Sequence, residues 1–253
     1  MSYRIKQLLA IVIGAALILS FNAVNSAPAA QEDIVAVASS IHECIKELAS
    51  EFEAEKMGRA PKIVAGASGK LASQIIAGAP FGLYLSASPE WAEKLRKEGF
   101  LFDVFPMASS PLVAWWAKDE PISTDALKKK DVRISIADTK AAPFGKAAAN
   151  YLQSQGIYDE LLEEKRLVIT GNVEQAALAV KSGGADIGMF SLSIAKKLNN
   201  GRYTVLPVEP LQNSGGLVKE RYSENLKAFW EYIRSERSND TWIKWGFEPV
   251  QGK

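Results

Sequence analysis

One histidine and one cysteine occur among 253 residues, and that scarcity excludes several kinds of chemistry at once. With only His42, a histidine-rich metal site is impossible, and no conventional zinc spacing exists. With only Cys44, there is no intrachain disulfide and no lipid-attachment cysteine near the start, so an exported protein of this length has to be held by its core. A charge excess is lacking too, with 30 basic against 29 acidic residues. That balance gives no support to nucleic-acid binding or to attachment on a charged membrane surface, and any anion site must be local. Gly69-Lys70 resembles the end of a phosphate-binding Walker loop, but Val64 stands where its first glycine is needed and Leu71 where its Ser or Thr is needed. There is no Gly-x-Ser-x-Gly elbow.

Long apolar runs are missing apart from Leu8 to Leu19, which follows Arg4 and Lys6 and precedes small residues around Val24 to Ala29. This pattern predicts a secretory signal over residues 1–27, removed by cleavage after Ser26 or Ala29, and places the protein in the periplasm. The alternative is a retained anchor, for which the run is short. Removing Arg4 and Lys6 from the 30 basic residues, with no acid lost, leaves a net charge of about −1.

What is abundant is a repeated unit of short apolar strand, small-residue turn and amphipathic helix. Asp33 to Ala38 leads through Ser39-Ser40 into a helix with Ile41, Ile45, Leu48 and Phe52 on one face. Ser40 and Glu43 fit the Ser-x-x-Glu capping box. Lys62 to Ala65 leads through Ala67-Ser68-Gly69 into a second helix, and Phe81 to Ser86 into a third starting near Pro89. Ser110 to Ala117 reads as a long strand on which Trp115 and Trp116 face opposite ways. The unit then resumes at Pro143-Phe144-Gly145, at Asn172-Val173, where Gln175 completes a second capping box, and at Ser191-Leu192-Ser193. Alternation of this kind specifies an α/β fold. We expect two lobes with mixed, mainly parallel sheets: lobe I from 33–109 plus 213–253 and lobe II from 110–212, with the ligand cleft between them. A single doubly wound domain is the alternative.

Five turns therefore share one chemistry. Each presents helix N-terminal N–H groups that lack intrahelical partners, at the positive end of the macrodipole, and three add a serine hydroxyl. Singly, each reads as an ordinary cap. His42, two residues after Ser40, reads as a partly exposed first-turn residue or one at the cleft mouth; Cys44 reads as core.

At these turns the sequence resembles the molybdate-binding periplasmic proteins of ABC transporters, the ModA family of type II periplasmic binding proteins, from about Asp33 to Glu248. The pieces that carry the resemblance are IVAVASSI, GASGKLASQIIAGAP, APFGKAA, GNVEQAALAVKSGGADIGMFSLS, and AFWEYIRS followed by WIKWGFEP. The resemblance implies a two-lobed protein that is not an enzyme, closes on molybdate or tungstate and delivers it to a membrane permease. It implies ligands Ser40 and Ser68 from the first lobe, and the backbone N–H groups of Phe144 and Val173 from the second. Ser191, which stands where some members place a tyrosine hydroxyl, is the fifth ligand candidate. Ser39, Gly69 and Asn172 are secondary candidates. No catalytic residue, cofactor, directly coordinated metal ion or nucleic-acid partner is expected, and a monomer is. The chain departs from the family at Phe81-Gly82 and Ser86-Ala87-Ser88, where acidic residues are usual. Those departures and Ser191 keep open a different oxyanion as ligand, and a secreted hydrolase using a serine near His42 is a further alternative.

Overall fold

Short apolar runs that stop at small polar turns build two sheets. The computed structural model describes residues 32–119 and 123–250, and the expected signal over 1–27 lies outside them. β1 (Ile34–Ala38) is buried from Val35 onward, as in a strand covered on both faces. It runs into a 3-10 turn, Ser39–Ile41, and then α1 (His42–Ala54), which buries Ile45, Leu48, Ala49 and Phe52 along one stripe. β2 (Lys62–Gly66), α2 (Ser68–Ile76), β3 (Leu83–Ser86) and α3 (Pro89–Lys97) repeat the unit. β4 (Leu101–Ser110) closes in this sheet, and after Pro111 β5 (Leu112–Trp116) opens the other.

The second sheet holds β6 (Ile134–Ala137), followed by α4 (Pro143–Ser154) and α5 (Tyr158–Glu163), then β7 (Leu167–Thr170) with α6 (Val173–Lys181), and β8 (Ile187–Ser191) with α7 (Leu192–Leu198). β9 (Arg202–Val205) is its edge. β10 (Leu211–Val218) returns to the first sheet, ahead of α8 (Glu224–Ile233), α9 (Asn239–Lys244) and β11 (Glu248–Pro249). The strand orders are β11-β4-β10-β3-β1-β2 and β7-β6-β8-β5-β9.

The sheets are mixed as expected, but parallel pairings do not outnumber antiparallel ones. β1 pairs in parallel with β2 and β3, and β6 with β7 and β8; the other five pairings, all involving β10, β11 or β5, are antiparallel. Every strand in a parallel pairing is followed by a helix, and β1, β2, β6 and β7 lead into the turns of interest. The strand expected from Ser110 starts instead at Leu112, because Ser110 pairs with Leu211 at the end of β4. Trp115 is buried with its indole N–H donated to the Asn200 carbonyl, while Trp116 is half-buried on the other face. Cys44 is a core residue whose thiol pKa is pushed up by burial. Among the described residues no helix is long and apolar enough to cross a membrane.

Candidate functional site

Where β1 ends, the chain tightens into the 3-10 turn and buries two serine side chains, Ser39 and Ser40, each 3% exposed. The expected capping box does not form. α1 starts at His42 with no side-chain cap, and Glu43 turns to Lys197 instead, at 2.7 Å. Among the described residues neither the Ser39 nor the Ser40 hydroxyl has a hydrogen-bond partner. A buried hydroxyl left unpaired costs about 1–3 kcal/mol, so two side by side make this turn a candidate ligand site.

Where β2 ends, Ala67 is the N-cap residue and Ser68 the first residue of α2, 1% exposed. The Ser68 hydroxyl oxygen accepts from the Ala87 N–H (3.1 Å), which fixes its rotamer and leaves its proton to donate; its carbonyl accepts from the Tyr84 hydroxyl (2.8 Å). A Cβ on Gly69 would sit 2.5 Å from the Trp91 ring, so a larger residue there would have to displace that ring.

In the second sheet β6 ends at Ala137, and the Asp138 carboxylate accepts from the N–H groups of Lys140 and Ala141 (2.8 and 2.7 Å). These bonds, the one from Ala141 first, hold its pKa below the usual aspartate value. The turn so fixed delivers Pro143 as the first residue of α4, where its missing N–H costs nothing, and Phe144 as the second. A Cβ on Gly145 would sit 2.4 Å from the Ala137 carbonyl oxygen, so the glycine of Pro-Phe-Gly is dictated by this close approach. After β7, Asn172 caps α6 by accepting from the Gln175 N–H (3.0 Å), while the Gln175 side chain accepts from the Gly171 N–H (2.8 Å). The second capping box thus closes one residue early. Val173 and Glu174 become the first two residues of α6, with N–H groups that no preceding carbonyl of the helix reaches.

These four turns meet around one small cavity, about 10 Å3, roughly a single water-sized sphere. Ser39, Ser40 and Ser68 line one side, and Pro143, Phe144, Asn172 and Val173 the other. Among the described residues no charged side chain lines it. Hydroxyl and backbone donors without cations suit an anion held by directed hydrogen bonds.

Two candidates lie off this wall. Ser191, fully buried, does not line the cavity. Its hydroxyl is 2.8 Å from that of Ser193, and since Ser193 donates to the Ser40 carbonyl, the proton between the two serines is that of Ser191. Gly69 is also absent from the lining; its N–H is donated across the seam to the Ala141 carbonyl (2.8 Å).

His42 likewise stays out of the cavity and is about one-quarter exposed. Its Nδ1 lies 3.3 Å from the Glu174 carboxylate, whose other neighbour is the Lys197 ammonium at 2.9 Å. The His42 bond, against the opposing effect of burial and with help from Lys197, pulls the Glu174 pKa down to about 2. Burial works against Lys197, but its bonds to Glu43 and Glu174 still carry it above the ordinary lysine value. His42, Glu43 and Glu174 offer three metal-type ligand atoms within 4.8 Å of one another, and the Lys197 ammonium bonds both carboxylates. Lys197 carried no sequence signal at all; Ser193 was visible only as part of a serine-bearing turn.

Residues 34–248 match the family model for bacterial extracellular solute-binding proteins. The chain is 31% identical to the molybdate-binding protein ModA of Rhodobacter capsulatus, over 87% of this chain and 89% of the relative. It is 30% identical to ModA of Azotobacter vinelandii, over 98% and 99%. The solved structure of the Azotobacter vinelandii periplasmic molybdate-binding protein superposes with a TM-score of 0.79 at 28% identity, covering 88% of this chain and all of that one. By that match and those two relatives, the chain belongs to the bacterial extracellular solute-binding proteins and is a ModA-like member of them.

Proposed function

We propose that this protein captures molybdate, or tungstate, in the periplasm and delivers it to the permease of an ABC transporter, acting as a monomer without a cofactor and without catalysis. One observation carries the reading: the Ser39 and Ser40 hydroxyls are buried and unpartnered on the wall of a cavity that the starts of α2, α4 and α6 share. Ser40, Ser68, Phe144 and Val173 are the ligand donors in this reading, with Ser39 beside them. The names of the ModA relatives support molybdate as the anion.

The energetics are adequate. A dianion that is fully enclosed loses its water hydrogen bonds, and charge-assisted bonds at about 1.5–3 kcal/mol each make about six donors sufficient for micromolar or tighter binding after the costs of closure. A tetrahedral oxyanion is larger than one water, so the two walls must part to admit it. Lobe I (33–109 plus 213–253) and lobe II (110–212) are the bodies we assign to that movement. Discrimination against sulfate would then rest on cavity size, since both anions are tetrahedral dianions able to use the same donors.

A second reading, another oxyanion, is favoured by one feature: with Ser191 off the wall, the cage has one hydroxyl fewer. The hydrolase alternative loses ground because the serine pair has no base on it, and His42 faces Glu174 instead. A thermal-shift series with molybdate, tungstate, sulfate, phosphate and chromate separates these. Strong stabilisation by molybdate and tungstate, with little from sulfate, is expected. Stabilisation by a different anion alone would move the protein to the second reading.

A further inference from the structure

The Ser40 turn is gripped from the second sheet's side by a single helix. Ser193 and Lys197 are four residues apart on α7 and so share one face. Ser193 donates its hydroxyl to the Ser40 carbonyl. One turn further along, the Lys197 ammonium reaches Glu43 of α1 at 2.7 Å and Glu174 of α6 at 2.9 Å. Glu174 in turn accepts from His42 of α1.

We infer that Ser193 and Lys197 are positioning residues for oxyanion capture: together they clasp the 3-10 turn bearing Ser39 and Ser40 against the start of α6, bringing hydroxyl donors and the Val173 N–H to one point. The inference rests on the oxyanion reading above and deepens it. Neither residue lines the cavity, so neither touches the ligand.

Three features support a clasp over incidental surface pairing. First, its contacts converge on the ligand turns: Ser40 itself is held by its carbonyl, Glu43 lies three residues on, and Glu174 directly follows Val173. Second, the group is only partly exposed, Glu43 at 24%, Glu174 at 30% and Lys197 at 39%, so solvent screens it less than it would an open surface pair. Third, the carboxylates outnumber the ammonium, and a second donor, His42, is already in place beside Glu174. Three metal-type ligand atoms meet here, but Lys197 already supplies the cation.

A clasp made on closure should slow release more than it speeds capture. Stopped-flow tryptophan fluorescence with molybdate on the full mature protein tests this. Lys197→Met should raise the release rate about five- to thirtyfold with the association rate within about twofold, and Lys197→Arg should restore most of the loss. Glu43→Gln combined with Lys197→Met should cost less than the sum of the two, because they share one bond. An unchanged release rate in Lys197→Met, an equal fall in association rate, or no rescue by arginine would overturn the inference. Ser193→Ala is a second probe, but Lys197 is the safer one for folding because it is partly exposed. If wild-type protein binds neither molybdate nor tungstate, the oxyanion assignment fails separately. Hydrogen exchange of the amides of residues 39–41 without added anion then decides the clasp alone: faster exchange in Lys197→Met supports it, and equal exchange overturns it.

Discussion

Ser39, Ser40 and Ser68 face the cavity with hydroxyl groups, whereas Phe144 and Val173 on the opposite side have apolar side chains and offer only backbone N–H. The two walls are the same device, a strand running into a helix, carried out with different chemistry. In the proposed cage the first wall donates through side chains, so the residue type matters and a single substitution removes a donor. On the second wall the proposed donor is the helix start, where nearly any residue with an N–H would serve. The requirements there fall on neighbours: Asn172 as cap, Gly145 against the Ala137 carbonyl, and Asp138 bracing the turn. A wall made of hydroxyls is easy to break and easy to read; a wall made of backbone is neither.

The largest expected effect comes from breaking the hydroxyl wall where it is unpartnered. Ser39→Ala with Ser40→Ala should weaken molybdate binding by at least about a hundredfold, taking about 1.5–3 kcal/mol per charge-assisted bond. The ligand-free protein should be no less stable, because two buried unpaired hydroxyls are removed. Calorimetry and thermal unfolding of the same variant check both halves.

The backbone wall can be broken by one substitution that respects its geometry. Val173→Pro removes the N–H at the first position of α6, where proline is tolerated, and Asn172 before it is already extended (φ −163°, ψ 175°). A loss of roughly tenfold to a hundredfold in affinity, with folding retained, is expected by calorimetry and circular dichroism. Val173→Ala, which keeps the N–H, should cost far less affinity.

Ser68→Ala comes next, at about tenfold in affinity. Unlike the Ser39 and Ser40 changes it should also lower stability, by about 1 kcal/mol, since the Ala87 N–H loses its acceptor.

Acid should loosen the seam between the walls. Glu174 is held at about 2 in the folded protein against an ordinary value of 4.5, so its stabilisation is complete above roughly pH 5 and is lost as the pH falls towards 2. Acid unfolding followed by fluorescence should therefore show a smaller pH-dependent loss between pH 5 and 2 in Glu174→Gln, the difference being on the order of 1–2 kcal/mol after screening.

The smallest effect is expected at Ser191, which the sequence placed among the ligands. Ser191→Ala should change affinity no more than about threefold, acting only through Ser193. A loss as large as that of Ser68→Ala would put Ser191 back on the wall.

The two walls also differ in what the sequence disclosed. Strand-turn-helix periodicity located β1, β2, β6 and β7 and the helices after them, and the resemblance then selected Ser40, Ser68, Phe144 and Val173, all of which the fold brings to one cavity. Ser40 and Glu43 looked like a capping box because the pattern is local, but Glu43 is drawn to Lys197, more than 150 residues away, and no window of sequence contains that choice. Ser191 and Ser193 have the same turn chemistry in sequence, and only packing decides that both hydroxyls are used on each other and on the Ser40 carbonyl. β4 was illegible for another reason. It contains Pro106 and a left-handed Asp103 (φ 49°), and its pairing with β10 shifts register twice, so it lacks the alternation of a regular strand. Asp103 is held there by the Trp230 indole N–H (2.8 Å) from α8 and by Arg234 (3.2 Å), the residue that follows that helix.

The most direct test is isothermal titration of the mature protein with molybdate, alongside Ser40→Ala and Val173→Pro under the same conditions. Expected are micromolar or tighter binding by wild type at one site per chain, and a loss of roughly tenfold or more in each variant, one from either wall. Unchanged affinity in both variants, or no heat from wild type with molybdate or tungstate, would contradict a cage built from the hydroxyls of one wall and the backbone of the other.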